Sequence, residues 1–187
     1  PHLPHTAVAK LGELVLRSLD REVLKTSKLS AARQENLRTA VATLATKERL
    51  PEYRLMFRAS SLMGANAFAL PGGTVVVLDN LATLATDDQL LATIAHELGH
   101  VKMHHPVRRL IQDAVVTTAV AAYLGDLSTA VASATALALN ANYSRDFELS
   151  ADRYAADRLF DAGKDPRNLI SLLEKIEVFY ELQCGAI

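Results

Sequence analysis

The sequence predicts an α+β fold that is mostly helical, with a small sheet beside one central helix. Leucines recur at helical spacing toward both ends of the chain, and two short apolar segments flank a Pro-Gly-Gly turn, which indicates a hairpin. Residues 86–101 combine a helix-capping signal with a helical apolar stripe, so a long helix follows the hairpin. The 187 residues are 50% hydrophobic, enough for one domain with its own core spanning residues 1–187.

Charge and cysteine content narrow the classes of partner. The chain has 20 Lys and Arg against 21 Asp and Glu, a formal net charge of -1. Because a protein that binds nucleic acid normally presents a strongly basic face, we expect no nucleic-acid partner. Cys184 is the one cysteine, so no intrachain disulfide can form, and its presence says little about the compartment.

The chain before the hairpin predicts two helices and a strand. Leucines at helical spacing in residues 11–24 indicate an amphipathic helix, and residues 31–47 indicate a second one. The polar residues 26–30 indicate a connection between them, with Ser30 as the N-cap of the second helix. Residues 52–58 alternate in polarity, which predicts a strand.

The predicted hairpin has a strong turn sequence at its centre. The segments from Ala67 to Leu70 and from Thr74 to Leu78 flank Pro71-Gly72-Gly73, and the second segment is rich in valine. An ordinary buried hairpin would have this sequence, and so would a hairpin at the edge of a binding cleft. The residues of the hairpin do not separate these two possibilities.

A His-Glu-x-x-His motif lies in the long helix that follows. Thr86 and Gln89 have the spacing of a capping box that begins this helix. His96 and His100 are four residues apart, so their imidazoles share a helix face and can reach one Zn²⁺. Glu97 projects near that face, where it can take a proton from a water that the metal activates. The alternative is two ordinary histidines on a partly buried helix, since chance can also produce the motif.

Residues around the motif give further information about this helix. Gly99 is unfavourable in a helix interior by roughly 1 kcal/mol relative to Ala, which indicates that another element packs closely there. Pro106 predicts the end of the helix shortly after the motif. We expect His104 and His105 to be cap or surface residues near that end, because one ion cannot be reached across two full helical turns.

A zinc site needs a third protein ligand, and a second segment offers one. Glu148 and Asp152 are four residues apart, so a helix would place them on one face. Glu148 could then bind the metal while Asp152 accepts the free N–H of a ligand histidine. A solvated acidic face paired with Arg145 and Arg153 would have the same pattern, and the segment taken alone favours that simpler explanation.

Together these segments resemble the HtpX-like and CAAX prenyl endopeptidase family of zinc metallopeptidases, members of the gluzincin group. Residues 66–73 are similar to the family's strand-and-turn signature, and residues 91–105 are similar to its metal-binding helix. Residues 144–152 are similar to the later helix that holds the third ligand. The three matches occur in the family's order, which is more specific than one match alone.

The resemblance implies an α+β, zincin-like fold and one Zn²⁺ per chain. By the resemblance, His96, His100 and Glu148 are the zinc ligands. Glu97 is the general base, and Asp152 orients a ligand histidine. The implied activity is the hydrolysis of peptide bonds in protein or peptide substrates by a zinc endopeptidase.

The resemblance also implies where the substrate binds. In the family, the sheet edge beside the zinc cleft pairs with extended substrate backbone, and the corresponding residues here are Asn66, Ala67, Phe68 and Ala69. Family members usually carry a later His-Pro and Arg motif that helps bind the oxyanion, but no histidine follows His105 in this sequence. That role would fall to another donor or to a segment outside these residues.

Two alternatives to a complete peptidase stay open. The chain could be a zinc-stabilised binding module that recognises unfolded or membrane proteins without cutting them, or a catalytic fragment that needs a further segment or partner. Glu97 favours the enzyme, because a closed structural zinc site has no use for a glutamate between its ligands. The resemblance suggests protein quality control in a bacterial cell envelope, either in the periplasm or at the membrane. The oligomeric state is not indicated.

Residues 114–139 form an apolar stretch whose one charge is Asp126. Gly125 and Asp126 divide the stretch into two pieces, each shorter than the ~20 residues that a membrane span needs. We therefore expect a pair of packed helices here, with contact to a membrane surface as the alternative.

The two ends of the chain differ. The C-terminal part predicts helices over residues 151–160 and 166–181, with Asp165 as the N-cap of the second. His2 and His5 lie in a short leader that contains proline and is expected to be disordered.

Overall fold

The computed structural model describes residues 4–45, 47–112 and 144–184. A mostly helical chain with one small sheet confirms the predicted α+β class. Residues 105–112 are also helical, while the apolar stretch predicted to form two helices lies outside the described residues. The named elements are α1 (His5–Glu22), β1 (Lys25–Thr26), α2 (Ala31–Ala42), β2 (Arg54–Ala59), β3 (Ala67–Ala69), β4 (Thr74–Leu78), α3 (Asp79–Leu84), α4 (Asp87–Lys102), α5 (Arg145–Asp161) and α6 (Arg167–Cys184).

The four strands form one mixed sheet in the order β1-β2-β4-β3. Strand β4 runs parallel to β2 and antiparallel to β3, so the predicted hairpin is confirmed. All five residues of β4 are buried, because helices cover both faces of the sheet at its centre. Val75 and Val77 face the larger hydrophobic core with α2, α4 and α5, whereas Val76 and Leu78 face a smaller core with α1.

Strand β3 lies at an edge of the sheet. The N–H and C=O groups of its successive residues point alternately toward β4 and toward the open edge. Asn66 accepts a hydrogen bond from the Leu78 N–H at 3.0 Å, and the Leu70 N–H donates to Thr74 at 2.7 Å. In an antiparallel ladder, the residues between such pairs direct their N–H and C=O groups away from the partner strand. The backbone of Ala67 and Ala69 therefore faces the open edge.

The helix-start signals in the sequence are confirmed. Ser30 accepts a hydrogen bond from the Arg33 N–H at the start of α2. Thr86 and Gln89 form the complete capping box of α4. Asp165 likewise accepts from the backbone N–H of Arg167 at the start of α6.

Some boundaries differ from the predicted ones. His5 begins α1, so its assignment to a disordered leader is wrong; His2 lies outside the described residues. Helix α2 ends at Ala42 instead of residue 47, because the chain tightens there and places the side chain of Leu44 in the larger core. Strand β1 and the short helix α3 were not predicted. None of the helices within the described ranges combines the length and the hydropathy that crossing a bilayer requires.

Candidate metal centre

Three side chains from two helices converge beside the sheet edge. His96 and His100 lie one turn apart on α4, and Glu148 projects from the first turn of α5. The Nε2 atoms of the two histidines are 3.0 Å apart, and the Glu148 carboxylate oxygens lie 3.3 Å from the Nε2 of His96 and 3.6 Å from that of His100. This group can hold a metal ion, since each residue offers one ligand atom within 4.8 Å of the others.

The close packing predicted at Gly99 brings these two helices together. A Cβ built on Gly99 would lie 2.9 Å from the Cα of Ala151 and 3.0 Å from its carbonyl oxygen. Any side chain at this position would therefore push α5 away from α4. The absence of a side chain at Gly99 is what allows Glu148, one turn before Ala151, to reach the two histidines.

His96 is held at its other ring nitrogen by Asp152, as the sequence suggested. The Nδ1 atom of His96 is 2.8 Å from a carboxylate oxygen of Asp152, which lies one turn after Glu148 on α5. With a proton on Nδ1, His96 donates to this carboxylate, and this contact orients the ring so that Nε2 faces the other candidate ligand atoms. Asp152 is 52% exposed, so this support comes from the solvent side of the site.

His100 is held at its other ring nitrogen by a second histidine. The Nδ1 atoms of His100 and His105 are 2.9 Å apart, and both rings are only 1% exposed. The expectation that His105 is a cap or surface residue is therefore wrong. After α4 ends, His104 adopts a left-handed conformation (φ 56°), and this turn brings His105 back beside the motif. Helical spacing could not have revealed it, because the contact depends on a break in the helix.

Glu97 lies between the two histidines in sequence, and its side chain is buried against strand β3. Burial raises the pKa of Glu97 to about 7, opposed by the positive charge of His96 and by a hydrogen bond from the backbone N–H of Ala69. Its Oε2 atom is buried and has no hydrogen-bond partner among the described residues. A buried carboxyl oxygen without a partner is unfavourable unless a ligand or water completes it.

The ionisable side chains of the site have strongly shifted pKa values. Burial alone would lower the pKa of His96, but its hydrogen bond to Glu148 and the charges of Glu97, Glu148 and Asp152 raise it to about 9. Burial and the charge of His96 lower the pKa of His100 to about 3. The hydrogen bond from His96 lowers the pKa of Glu148. Clusters of such shifts are typical of functional sites.

A cleft of about 210 Å³ opens beside these residues. Its floor includes His96, Glu97 and Glu148, and Asn66 and Ala67 of the strand edge line one wall. Apolar side chains from α6 also line the cleft, namely Leu169, Leu172, Leu173 and Ile176.

The predicted substrate residues are not equally placed around this cleft. Asn66 is exposed and Ala67 half-buried, and both line it. Phe68 packs into the smaller core on the other face of the sheet with Leu16 and Leu19. Ala69 is buried and meets the site through its backbone. The sequence alone did not show which face of β3 each side chain takes.

Three side chains on two packed helices that could hold a metal ion, a buried carboxyl group beside them and an adjacent sheet edge are typical of the metallopeptidase class. Comparison with known families agrees with this class. Residues 31–182 match the model described as Peptidase family M48, and the chain belongs to this family. The family includes the HtpX-like and CAAX protease relatives, which confirms the resemblance seen in the sequence, and its members depend on a metal.

Individual relatives cover parts of the chain. It is 33% identical over 119 residues to metalloprotease LoiP of Escherichia coli strain K12, covering 59% of this chain and 47% of that protein. Mitochondrial metalloendopeptidase OMA1 of Arabidopsis thaliana is 32% identical, covering 59% of this chain and 23% of the relative. A putative beta-barrel assembly-enhancing protease of Vibrio cholerae is 36% identical, covering 54% and 24%. The chain thus spans about half of LoiP and about a quarter of the other two.

Proposed function

We propose that this chain is a zinc-dependent endopeptidase that hydrolyses peptide bonds of protein substrates. In this proposal His96, His100 and Glu148 hold the zinc ion, and Glu97 is the general base. The observation that carries the proposal is the unpartnered, buried Oε2 of Glu97 directly beside the ligand group. A metal site that only stabilised the fold would gain nothing from burying such a carboxyl group at this position.

The ligand group suits zinc in its chemistry and in its dimensions. Two imidazole nitrogens and one carboxylate oxygen are a common ligand set of catalytic zinc, which leaves a further position open. In a tetrahedral site with zinc–ligand distances of about 2.0–2.1 Å, ligand atoms lie roughly 3.3 Å apart. The observed separations of 3.0, 3.3 and 3.6 Å fall around this value.

The chain's own residues account for the proton transfers of hydrolysis. Held by these three residues, a zinc ion would supply Lewis acidity, which would make a water more acidic and polarise a carbonyl group. Glu97 accepts a proton from the attacking water at its free Oε2 and later returns it to the leaving amine. Its raised pKa suits both steps, because the carboxyl group can take up and release a proton near neutral pH.

Substrate backbone can pair with the edge of β3 over a short stretch. Ala67 directs its N–H and C=O groups to the open edge, while the Ala69 N–H faces Glu97. At the other end, the Ala65 N–H donates to the hydroxyl of Tyr180 on α6 at 2.8 Å. We infer that Ala67 is the central backbone contact and that Asn66 contacts substrate through its side chain. Phe68 and Ala69 then shape the strand instead of touching the substrate side chains.

The apolar wall of the cleft favours substrates with hydrophobic side chains next to the scissile bond. Leu173 is 60% exposed, and Leu172 and Ile176 line the same cleft as Asn66 and Ala67 of the strand edge. Burying a substrate leucine or phenylalanine there would contribute about 1.5–3 kcal/mol. Such side chains are exposed mainly in unfolded or misassembled proteins, which are therefore the substrates that we propose.

We further propose that the protein acts in the bacterial cell envelope. One bacterial relative is named for β-barrel assembly, and LoiP is also bacterial. OMA1 is named as mitochondrial, so the cellular site must be measured directly. Fractionation of the source cells tests this part, and recovery of the full-length protein in the cytosol alone would contradict it.

The direct test of the activity compares the wild type with Glu97→Gln. We measure zinc content and the hydrolysis of casein and of a quenched apolar peptide on the same samples. Glu97→Gln should bind about one zinc per chain and lose about 10²–10⁴-fold in turnover, because the general base is removed while the ligands remain. Glu13→Gln on α1, on the far side of the sheet, is the matched control and should behave as the wild type.

Three outcomes would decide against the proposal. Full activity in Glu97→Gln would exclude Glu97 as the base. Absence of bound metal in the wild type would exclude the metal site itself. Zinc binding with no cleavage by the wild type, together with saturable binding of unfolded casein, would instead favour the binding module that does not cut.

A further inference from the structure

His105 is a buried histidine that the proposed mechanism does not use. Its ring is stacked on Phe147, with the ring centroids 4.1 Å apart and the planes within 3°. Its Nδ1 is 2.9 Å from the Nδ1 of His100, and its Nε2 is 3.4 Å from the hydroxyl of Ser150. Both ring nitrogens therefore face specific polar partners, one on the metal-ligand helix and one on α5.

The hydrogen bonds around Ser150 determine which ring nitrogens of His105 and His100 carry a proton. The Ser150 hydroxyl donates its single proton to the Phe147 carbonyl at 2.9 Å. The oxygen of Ser150 can then only accept, so the proton of His105 lies on Nε2, and its Nδ1 is an acceptor. That acceptor faces the Nδ1 of His100, which must carry the proton. The other ring nitrogen of His100, Nε2, then directs its lone pair toward His96 and Glu148.

We propose that His105 is a positioning residue that fixes the tautomer and the ring orientation of His100 for metal binding. This inference rests on the proposed metal site. The hydrogen bonds from His100 through His105 to Ser150 end on α5, the helix that carries Glu148. His105 therefore links two ligands that come from different helices, and it gives His100 the support that Asp152 gives His96.

A neutral ring is the appropriate partner in this place. The His105 ring is only 1% exposed and is stacked on Phe147, so its surroundings favour an uncharged side chain. A carboxylate in the same buried position would carry a desolvation penalty that Asp152, half-exposed at the other histidine, avoids.

The test is the zinc affinity of the purified chain, measured by competition with a chromogenic chelator. His105→Phe keeps the stacked ring but removes the acceptor, and it should weaken zinc binding by about 10–100-fold. His105→Asn places an amide oxygen near the position of Nδ1, and it should recover most of that loss. Ser150→Ala should weaken binding by a few-fold, because His105 loses the partner that sets its own tautomer. His104→Asn is the matched control, since asparagine accepts the left-handed conformation, and it should bind zinc as the wild type does.

The outcomes separate this inference from the proposed function. If the wild type binds no zinc, the proposed site fails first. If the wild type binds zinc and His105→Phe binds it equally well, only the role of His105 is wrong. Equal loss in His105→Phe and His105→Asn would also overturn it, because ring packing would then matter and not the acceptor. If His105→Phe fails to fold, the zinc affinities of Ser150→Ala and His105→Asn, each compared with that of the wild type, still test the role of His105.

Discussion

The two histidines of the motif are held by different residues, which lie on different sides of the candidate metal site. His96 is 14% exposed and contacts the carboxylate of Asp152, which is itself half-exposed. His100 is 1% exposed and contacts the neutral ring of His105, which is equally buried. A charge can hold the first ligand because water still solvates that charge, whereas the second support must be neutral to be buried. The same task therefore needs different residues on the two sides.

The largest effects should come from removing either of the proposed ligand histidines. His96→Ala and His100→Ala should both abolish zinc binding at micromolar metal, together with hydrolysis. They should differ in the free energy of unfolding of the metal-free chain. His100→Ala leaves a cavity and a buried acceptor on His105, which together cost about 2–4 kcal/mol, while His96→Ala at the exposed side should cost about 1 kcal/mol or less. Chemical denaturation in the presence of a chelator measures both, and equal losses would refute the contrast between the two sides.

The exposed support should affect metal affinity without affecting stability. Asp152→Ala removes the acceptor of His96, and it should weaken zinc binding by about 10–100-fold. Its free energy of unfolding should change by less than about 1 kcal/mol, because this pair is accessible to solvent. Asp152→Asn keeps an acceptor oxygen and should lose less affinity. Asp157→Ala, exposed on the same helix, is the control; a comparable loss there would show that charge on α5 matters in general and not the contact with His96.

A change at the contact between α4 and α5 should alter both the free energy of unfolding and the zinc affinity. Gly99→Ala forces α5 away from α4, because the added Cβ would meet the backbone of Ala151 at 2.9 Å. We expect a loss of about 1–3 kcal/mol in the free energy of unfolding, partly offset by the better helix propensity of alanine. Zinc binding should weaken by about tenfold as Glu148 moves from the histidines. Lys102→Ala, exposed on α4, should change neither quantity, and a Gly99→Ala chain with unaltered zinc affinity would show that α5 adjusts freely.

The smallest effect should appear at α6, which carries none of the three candidate ligands His96, His100 and Glu148. Tyr180→Phe removes the hydroxyl that accepts a hydrogen bond from the Ala65 N–H. Zinc affinity should stay unchanged, while the KM of a long extended peptide should fall by a few-fold because one more edge donor becomes available. The KM of a short peptide that reaches only Ala67 should not change. Steady-state kinetics on the two peptides checks this, and an altered zinc affinity would mean that α6 does reach the metal site.

Much of the metal site could be predicted from the sequence because its geometry is local. The spacing of His96 and His100 follows from the helical repeat, and the capping box shows where that repeat begins. Gly99 indicated a close neighbour because glycine is otherwise unfavourable within a helix, and the neighbour proved to be Ala151. The pairing of Glu148 with the histidines needed the family resemblance, since an exposed acidic face has the same sequence pattern.

His105 could not be predicted, for a physical reason. It reaches His100 only because a histidine, and not a glycine, takes the left-handed conformation at residue 104. No local pattern signals such a turn in a non-glycine residue. The placement of Phe68 was missed for a related reason, because the side that a three-residue edge strand presents to a cleft depends on which helix covers each face. Both misses concern contacts between elements, which periodicity within one element does not describe.

A crystal structure of the zinc-loaded chain, with anomalous diffraction measured at the zinc edge, tests the proposed metal site directly. We predict one strong anomalous peak per chain, bonded to the Nε2 atoms of His96 and His100 and to the Glu148 carboxylate, with Glu97 close by but not bonded. A peak bonded to His105, or one that lacks Glu148, would contradict it.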